Sequence, residues 1–357
     1  MEMNLFEPQT LGQLKLDNRI VMAPLTRSRA INNIPNELMA TYYRQRASAG
    51  LIITEGTSPS PNGIGYPRIP GAYSDEQIEG WKKVADAVHA EGGKIFVQLM
   101  HTGRITAKVN MPEGSVTLAP SAIQAPGEIF TEQGTAPHDL PKAMSLREIE
   151  STQNEYVLAA KRLVNEANMD GVELHAANGY LMNQFINPGS NQREDQYGGS
   201  IENRTRFVLE TARKVVAEIG ADKVGIRLSP YGAFNDMQSD YDGLEDTFIY
   251  LAQQLAEIGV LYVHVVDQRV AFGAPDFTTD IKRIIKENFK GIIISGGDVD
   301  TREKGEAILE SGLDLVYVGR PFISNPDLVE KLQNGAELAL PDFDTFYTSG
   351  EKGYTDY

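Results

Sequence analysis

The stretch 291–318, GIIISGGDVDTREKGEAILESGLDLVYV, sets the fold. It opens on a β-branched run at 291–295 (GIIIS), the signature of a short buried strand. A Gly-Gly turn follows, then a helical stretch at 302–311 that stops at Gly312, where a C-cap belongs. A second strand-like run, LDLVYV, occupies 313–318. Two strands joined through one helix run parallel, because a parallel pair needs a crossover of that length.

The same unit repeats outward along the chain. Strands are predicted at 19–26, 51–55, 94–100, 170–175, 223–228, 261–266, 291–295 and 313–318. Helices are predicted after them at 36–49, 75–91, 146–168, 201–219, 244–258, 277–288, 302–311 and 326–334. Gly50, Gly92, Gly220 and Gly259 stand, like Gly312, at expected C-caps. Eight strand–helix units predict an α/β fold, a single closed (β/α)8 TIM barrel. A doubly wound open sheet is the alternative, and the missing Gly-x-Gly-x-x-Gly after the first strand weakens it. Residues 3–18 read as an N-terminal β-hairpin, and 101–144 as a long insertion after strand 3. Loops of that length are usually caps or lids. No linker or compositional break divides the chain, so one domain is expected over 1–357.

Composition narrows the function. With 33 basic and 49 acidic residues the formal charge is −16, which speaks against nucleic-acid and anionic-membrane partners. There are no cysteines, so disulfides, thiolate metal sites and a cysteine nucleophile are excluded. That fits a reducing compartment, and a cytoplasmic location is expected. No basic leader is visible in the first ten residues, and no apolar run reaches the ~18 residues of a membrane span.

In a barrel of this kind the chemistry lies at the C-terminal ends of the strands. That rule selects Pro24, Leu25, Thr26 and Arg27 after strand 1, and Glu55 and Gly56 after strand 2. It selects Gln98, Met100 and His101 at strand 3, and His175, Asn178 and Tyr180 after strand 4. Arg227 lies on strand 5, Gly296 and Gly297 end strand 7, and Gly319 and Arg320 end strand 8. The ends of strands 7 and 8 are the usual phosphate seat of such barrels, so a phosphorylated ligand is expected there. The competing reading is that these glycines only make tight turns. The Arg227 guanidinium needs an anionic or strongly accepting partner, either a structural carboxylate such as Glu173 or a ligand. His175, Asn178 and Tyr180 cluster as hydrogen-bond donors, and a Tyr keeps its proton at pH 7. No metal site is expected, since His and Asn without a carboxylate or thiol make a poor ligand set. His89 and His138 read as surface or insertion residues, and His101 and His264 as lying near strand ends without comparable companions.

These residues carry a resemblance. PLTRSRA (24–30), VQLMHTGR (97–104), HAANGYLMNQF (175–185), NQREDQYGGSIENR (191–204), VGIRLSP (224–230), GRPFISNPDLV (319–329) and GYTDY (353–357) resemble the Old Yellow Enzyme family of FMN-dependent ene-reductases. The resemblance covers essentially the whole chain. It implies bound FMN, NADPH or NADH as hydride donor, and a small-molecule substrate with an activated alkene. It places Thr26 at the flavin C4 oxygen, Gln98 at the pyrimidine edge, and Arg227 near N1 and C2=O. Pro24, Leu25 and Gly56 would border the flavin, and Gly296, Gly297, Gly319 and Arg320 its phosphate end. His175 and Asn178 would bind the substrate carbonyl oxygen, and Tyr180 would protonate the α-carbon. Tyr66, Met100, Phe234, Phe272 and Tyr347 would line the pocket. Many relatives have Trp where Met100 stands and Ala where Gly56 stands. The resemblance allows a monomer or a homodimer. On the same scaffold a nitroester or nitroaromatic reductase, or a low-turnover flavin-binding protein, is the alternative function. A Schiff-base barrel enzyme would need a Lys at a strand end, and the strand ends hold none.

Overall fold

The structure, a computed structural model, describes residues 4–266 and 279–357. The chain begins with a hairpin of β1 (Gln9–Leu11) and β2 (Leu14–Leu16). The repeat then runs β3 (Ile20–Met22), α1 (Glu37–Arg44), β4 (Leu51–Ile53), α2 (Asp75–His89) and β5 (Ile95–Leu99). The insertion carries β6 (Leu118–Ala119), β7 (Glu128–Thr131), β8 (Gly134–Pro137) and β9 (Lys142–Ala143). The repeat resumes with α3 (Leu146–Asn165), β10 (Gly171–Ala176), α4 (Leu181–Ile186), α5 (Ile201–Ile219), β11 (Val224–Leu228) and α6 (Leu244–Ile258). It ends with β12 (Tyr262–Val265), α7 (Ile281–Phe289), β13 (Ile292–Gly297), α8 (Arg302–Glu310), β14 (Leu315–Val318), α9 (Pro321–Ser324) and α10 (Leu328–Asn334).

Strands β3, β4, β5, β10, β11, β12, β13 and β14 close into one parallel barrel, each a strand expected from sequence. The alternation along each strand sorts the side chains. Ile20, Ile52, Val97, Leu174, Ile226, Val263, Ile293 and Val316 face outward into one core shared with the helices. Val21, Leu51, Ile53, Phe96, Tyr262, Ile294, Leu315 and Tyr317 face inward and fill the barrel. Leu11 and Leu16 of the hairpin join this inner cluster, so the hairpin packs into the barrel. Helix starts carry their caps: Ser74 and Ser145 each complete a capping box, together worth about 1–2 kcal/mol.

Three expectations are corrected. Helix α1 ends at Arg44, so Gly50 is not its C-cap. Gly50 instead lies under Asn18, whose carbonyl oxygen would stand 2.1 Å from any Cβ there. A short helix, α4, precedes α5 between the strand expected at 170–175 and the helix expected at 201–219, where none was predicted. The insertion is not plain loop, since β7 pairs with β8 and β6 with β9. The first residues of the helix expected at 277–288 lie outside the described residues. No helix among the described residues is long and apolar enough to cross a membrane.

The C-terminal segment is strapped across the barrel by buried arginines. Arg27 donates to the Gly353 carbonyl (2.6 Å) and the Phe346 carbonyl (3.2 Å). Arg29 donates to the carbonyls of Phe346 (2.7 Å), Thr345 (2.9 Å), Lys352 (3.0 Å) and Gly350 (3.3 Å). Arg46 holds the Phe322 and Ile323 carbonyls, both at 2.7 Å. Tyr42 and Tyr354 stack beside them at 4.1 Å. The one carboxylate in this cluster is Glu55, fully buried at the end of β4. It accepts from the Tyr43 hydroxyl (3.1 Å) and the Arg27 backbone N–H (3.4 Å).

Candidate active site

The turn after β10 gathers the donors. His175 is the inward-facing residue next to the end of β10, in register with Arg227 on β11, which is in register with His264 on β12. The chain then reverses through Asn178, at φ +58°, and Gly179, at φ +75°. The reversal is clamped from the loop after β11: the Asn178 N–H donates to Ser229 Oγ (2.8 Å), and Asn235 Nδ2 donates to the Asn178 carbonyl (2.8 Å). A Cβ at position 179 would stand 2.6 Å from the Asn235 Cβ, so only glycine lets this loop approach. Tyr180 is the N-cap residue just before α4 and is 8% exposed. Its ring packs edge-on to His175 at 5.0 Å, and its hydroxyl is 3.1 Å from the Tyr66 hydroxyl.

Protonation follows from burial. Burial, helped by the nearby Arg227 and His264, pushes the His175 pKa well down, so the ring is neutral at pH 7. Burial pushes Tyr180 up, against the pull of Tyr66, Asn235 and Arg227, so it keeps its proton. His175 Nδ1 has no hydrogen-bond partner.

Beneath this turn the barrel interior becomes polar. Glu173 is fully buried and accepts from Gln98 Nε2 (2.8 Å), the Tyr262 hydroxyl (3.1 Å) and His264 Nδ1 (2.9 Å). Arg227 therefore has no ion pair with Glu173, although its charge is felt there. The Arg227 guanidinium lies 5.8 Å from the Tyr317 ring centre, and its Nε has no partner. His264 does not lack companions, as its sequence position implied: Glu173, Tyr262 and Tyr317 all surround it. The signal was present in the alternation, which turns Glu173, Arg227 and His264 all inward. What local pattern could not supply was which inward side chains on the neighbouring strands would bond one another once the barrel closed.

Three adjacent strands thus present a buried polar nitrogen with no partner: His175 Nδ1, Arg227 Nε and His264 Nε2. Each such atom costs about 1–3 kcal/mol unless a ligand or water satisfies it. A flavin's pyrimidine edge alternates acceptors with an N–H, which suits a set that pairs the Arg227 donor with an accepting His264 Nε2, so the residues fit FMN. The phosphate end is less uniform. Around Gly319 the nearest atom to an added Cβ is Leu25 Cδ2 at 3.9 Å, which leaves room beside the backbone. Gly296 is accounted for by packing instead, since a Cβ there would stand 2.1 Å from the Tyr317 carbonyl oxygen. Gly297 ends β13 at φ +139°, and Arg320 is exposed beside Phe343. Pro24, Leu25 and Thr26 are half-buried past the end of β3.

The expected wall residues are spread around the mouth. Tyr66 touches Tyr180 directly. Met100 is buried with Tyr180, Ile64, Ile69 and Ile105. It fills the space opposite Gly56, where a Cβ would meet Met100 Cε and Sδ at 2.5 Å. The smaller residue at 56 and the methionine at 100 are therefore one packing solution. Phe234 (43% exposed) and Tyr347 (51% exposed) stand on the rim. Arg68 joins that rim together, bonding the Tyr347 carbonyl (2.8 Å), the Ser28 carbonyl (2.9 Å) and Glu132 on the insertion hairpin. Phe272 lies outside the described residues. Among the described residues no cluster of His, Asp or Glu could hold a metal.

Known proteins share this fold. A family model described as NADH:flavin oxidoreductase / NADH oxidase matches residues 4–339. The chain is 42% identical to a probable flavin mononucleotide-dependent alkene reductase of Leishmania infantum, over 99% of this chain and 96% of that protein. Among solved structures, morphinone reductase superposes with a TM-score of 0.95 at 42% identity, covering 100% of this chain and 96% of that one. Morphinone reductase in complex with tetrahydroNAD gives a TM-score of 0.93 at 43% identity, over 99% of this chain and 97% of that one.

Proposed function

The chain belongs to the NADH:flavin oxidoreductase / NADH oxidase family as an FMN-dependent alkene reductase with a nicotinamide hydride donor, and from that premise we propose how its site works. Its substrates are small alkenes conjugated to a carbonyl or nitro group: enones, enals, maleimides and nitroalkenes. Two half-reactions share one pocket in turn. When bound, FMN would supply the redox chemistry, the exchange of a hydride between NADH or NADPH and the alkene β-carbon. Thr26, Gln98 and Arg227 would hold its ring, and Gly297, Gly319 and Arg320 its phosphate.

The chain's own residues do the rest. His175 and Asn178 receive the substrate's carbonyl or nitro oxygen. A neutral histidine and an amide are fixed dipoles, so their N–H groups meet the charge that grows on that oxygen without rearranging. One such donor is worth roughly 3–4 kcal/mol in related sites. Tyr180 then gives its proton to the α-carbon, and the adjacent Tyr66 hydroxyl holds the phenol in place. The observation that carries this reading is the short turn that sets neutral His175, clamped Asn178 and protonated Tyr180 side by side.

The test is an anaerobic titration with NADPH, followed by an enone, for wild type and Tyr180→Phe. Both proteins should show a flavin spectrum that bleaches with NADPH. Enone turnover by Tyr180→Phe should fall roughly 100-fold or more, the usual contribution of a positioned general acid. Wild-type turnover by the variant, with protonation shown to occur on the enzyme, would remove Tyr180 from the mechanism.

A further inference from the structure

Glu173 is touched by no part of the mechanism above, yet it sits at the centre of the barrel's polar tier. We propose that Glu173 is a positioning residue for the flavin: its carboxylate orients the Gln98 amide, and its negative charge offsets Arg227 and so holds the flavin potential down.

The argument starts from the expense of the placement. A carboxylate with no exposed surface is strongly disfavoured in a barrel core unless several donors surround it. Three do: Gln98 Nε2 at 2.8 Å, His264 Nδ1 at 2.9 Å and the Tyr262 hydroxyl at 3.1 Å. Well-packed apolar residues would stabilise a core at least as well, so such a network invites a reason beyond stability. Burial pushes the Glu173 carboxyl up, but His264, Arg227 and Gln98 outweigh it, and it remains below the ordinary carboxylate range. Burial and Arg227 keep His264 on the neutral side despite Glu173. The tier therefore holds one negative charge, on Glu173, and one positive charge, on Arg227.

Two consequences follow for the cofactor. The first is geometric. Because one N–H of the Gln98 amide is engaged by Glu173, the amide cannot rotate freely about its terminal bond. Its carbonyl oxygen and second N–H are left as an ordered acceptor–donor pair, the pattern that reads the alternating edge of a pyrimidine ring. The second is electrostatic. Reduction adds electron density to a ring held beside Arg227. A fixed carboxylate in the same low-dielectric tier opposes part of the arginine's stabilisation of that density. Removing the carboxylate's charge should make the flavin easier to reduce.

This inference rests on the reading that Gln98 and Arg227 border the flavin, and the experiment separates the two. The holoenzymes of wild type, Glu173→Gln and Tyr262→Phe are compared by spectroscopic redox equilibration against a reference dye, and FMN affinity is measured on the apoproteins. Glu173→Gln keeps the shape and removes the charge. Its reduction equilibrium should shift at least tenfold toward the reduced flavin, about 30 mV for a two-electron couple. Tyr262→Phe keeps the charge and deletes one bond, so its potential should stay near wild type. Because deleting one partner of a buried network can unfold a chain, Glu173→Gln combined with His264→Gln is measured alongside, with the same shift expected. An unchanged or lowered potential in FMN-loaded Glu173→Gln would overturn the proposal. So would failure of both amide variants to fold, which would assign Glu173 to the stability of the barrel rather than to the flavin. Gln98→Leu tests the underlying reading. If its apoprotein binds FMN as wild type does, the flavin is not at Gln98 and that reading falls. If it binds more weakly while Glu173→Gln moves no potential, the reading stands and the Glu173 role fails.

Discussion

Glu55 makes the folded protein sensitive to alkaline pH, and Glu55→Gln should remove that sensitivity. Burial pushes the Glu55 carboxyl from its ordinary 4.5 to about 7, against the pull of the Arg27 N–H, the Tyr43 hydroxyl and the charges of Arg27 and Arg29. The folded chain thus binds this proton more tightly than the unfolded chain. The stabilisation is fully present below pH 4.5 and is lost as pH rises through about 7. At about 1.36 kcal/mol per pH unit, the loss is about 3 kcal/mol. Glutamine cannot ionise, so the variant lacks this decline. Its amide nitrogen replaces an oxygen that accepts from Arg27 or Tyr43, but that penalty is the same at every pH and cancels in the comparison. Thermal unfolding of both FMN-saturated proteins at pH 5 and pH 8.5 measures the effect. With an unfolding entropy of about 2.1 cal/mol/K per residue, and part of the effect already lost at pH 5, the gap between the two proteins should change by about 3 °C in Tm across that range. Curves that stay parallel would refute the reasoning and place the ionised carboxylate in a better-compensated site than its surroundings describe.

Two other perturbations follow from packing. Gly56→Ala places a methyl within 2.5 Å of the Met100 side chain, which must yield toward the pocket. Stability should fall by about 1–3 kcal/mol, and the KM of bulky cyclic enones should rise several-fold while small enals are spared; an unchanged KM ratio would show that Met100 moves elsewhere. Arg29→Ala removes the donors to four C-terminal carbonyls. At about 1.5–3 kcal/mol for a single charged hydrogen bond, the strap should loosen enough for limited proteolysis to cut within 341–357 while the barrel survives, and a wild-type cleavage pattern would sink the idea.

The barrel was legible because its strands are short, branched and separated by helices of the right period. What escaped is instructive in particular places. Helix α4 buries all six of its residues, so no polar face marks its turn. Strands β6 and β9 are two residues each and pair across the whole insertion, beyond the reach of local pattern. The His175–Tyr180 cluster could be read because its members are neighbours in sequence. Glu173 could be singled out only as a partner for Arg227, because its real partners lie on β5 and β12 and meet it only when the barrel closes. The arginine strap left no side-chain signature, because Arg27 and Arg29 reach main-chain oxygens more than three hundred residues away.

That last detail bears on how such a protein changes over generations. Apart from Phe346 and Tyr354, whose rings pack on Arg27, the strap is gripped chiefly by its carbonyl oxygens. Anchoring reads the path of the chain, while the half-exposed side chain of Tyr347, proposed to line the pocket, takes no part in it. The two tasks draw on different atoms of the same segment. If Tyr347 lines the pocket as proposed, position 347 is free to drift, or to be randomised in a library, without loosening the closure, and preference among substrates should be retuned there one residue at a time.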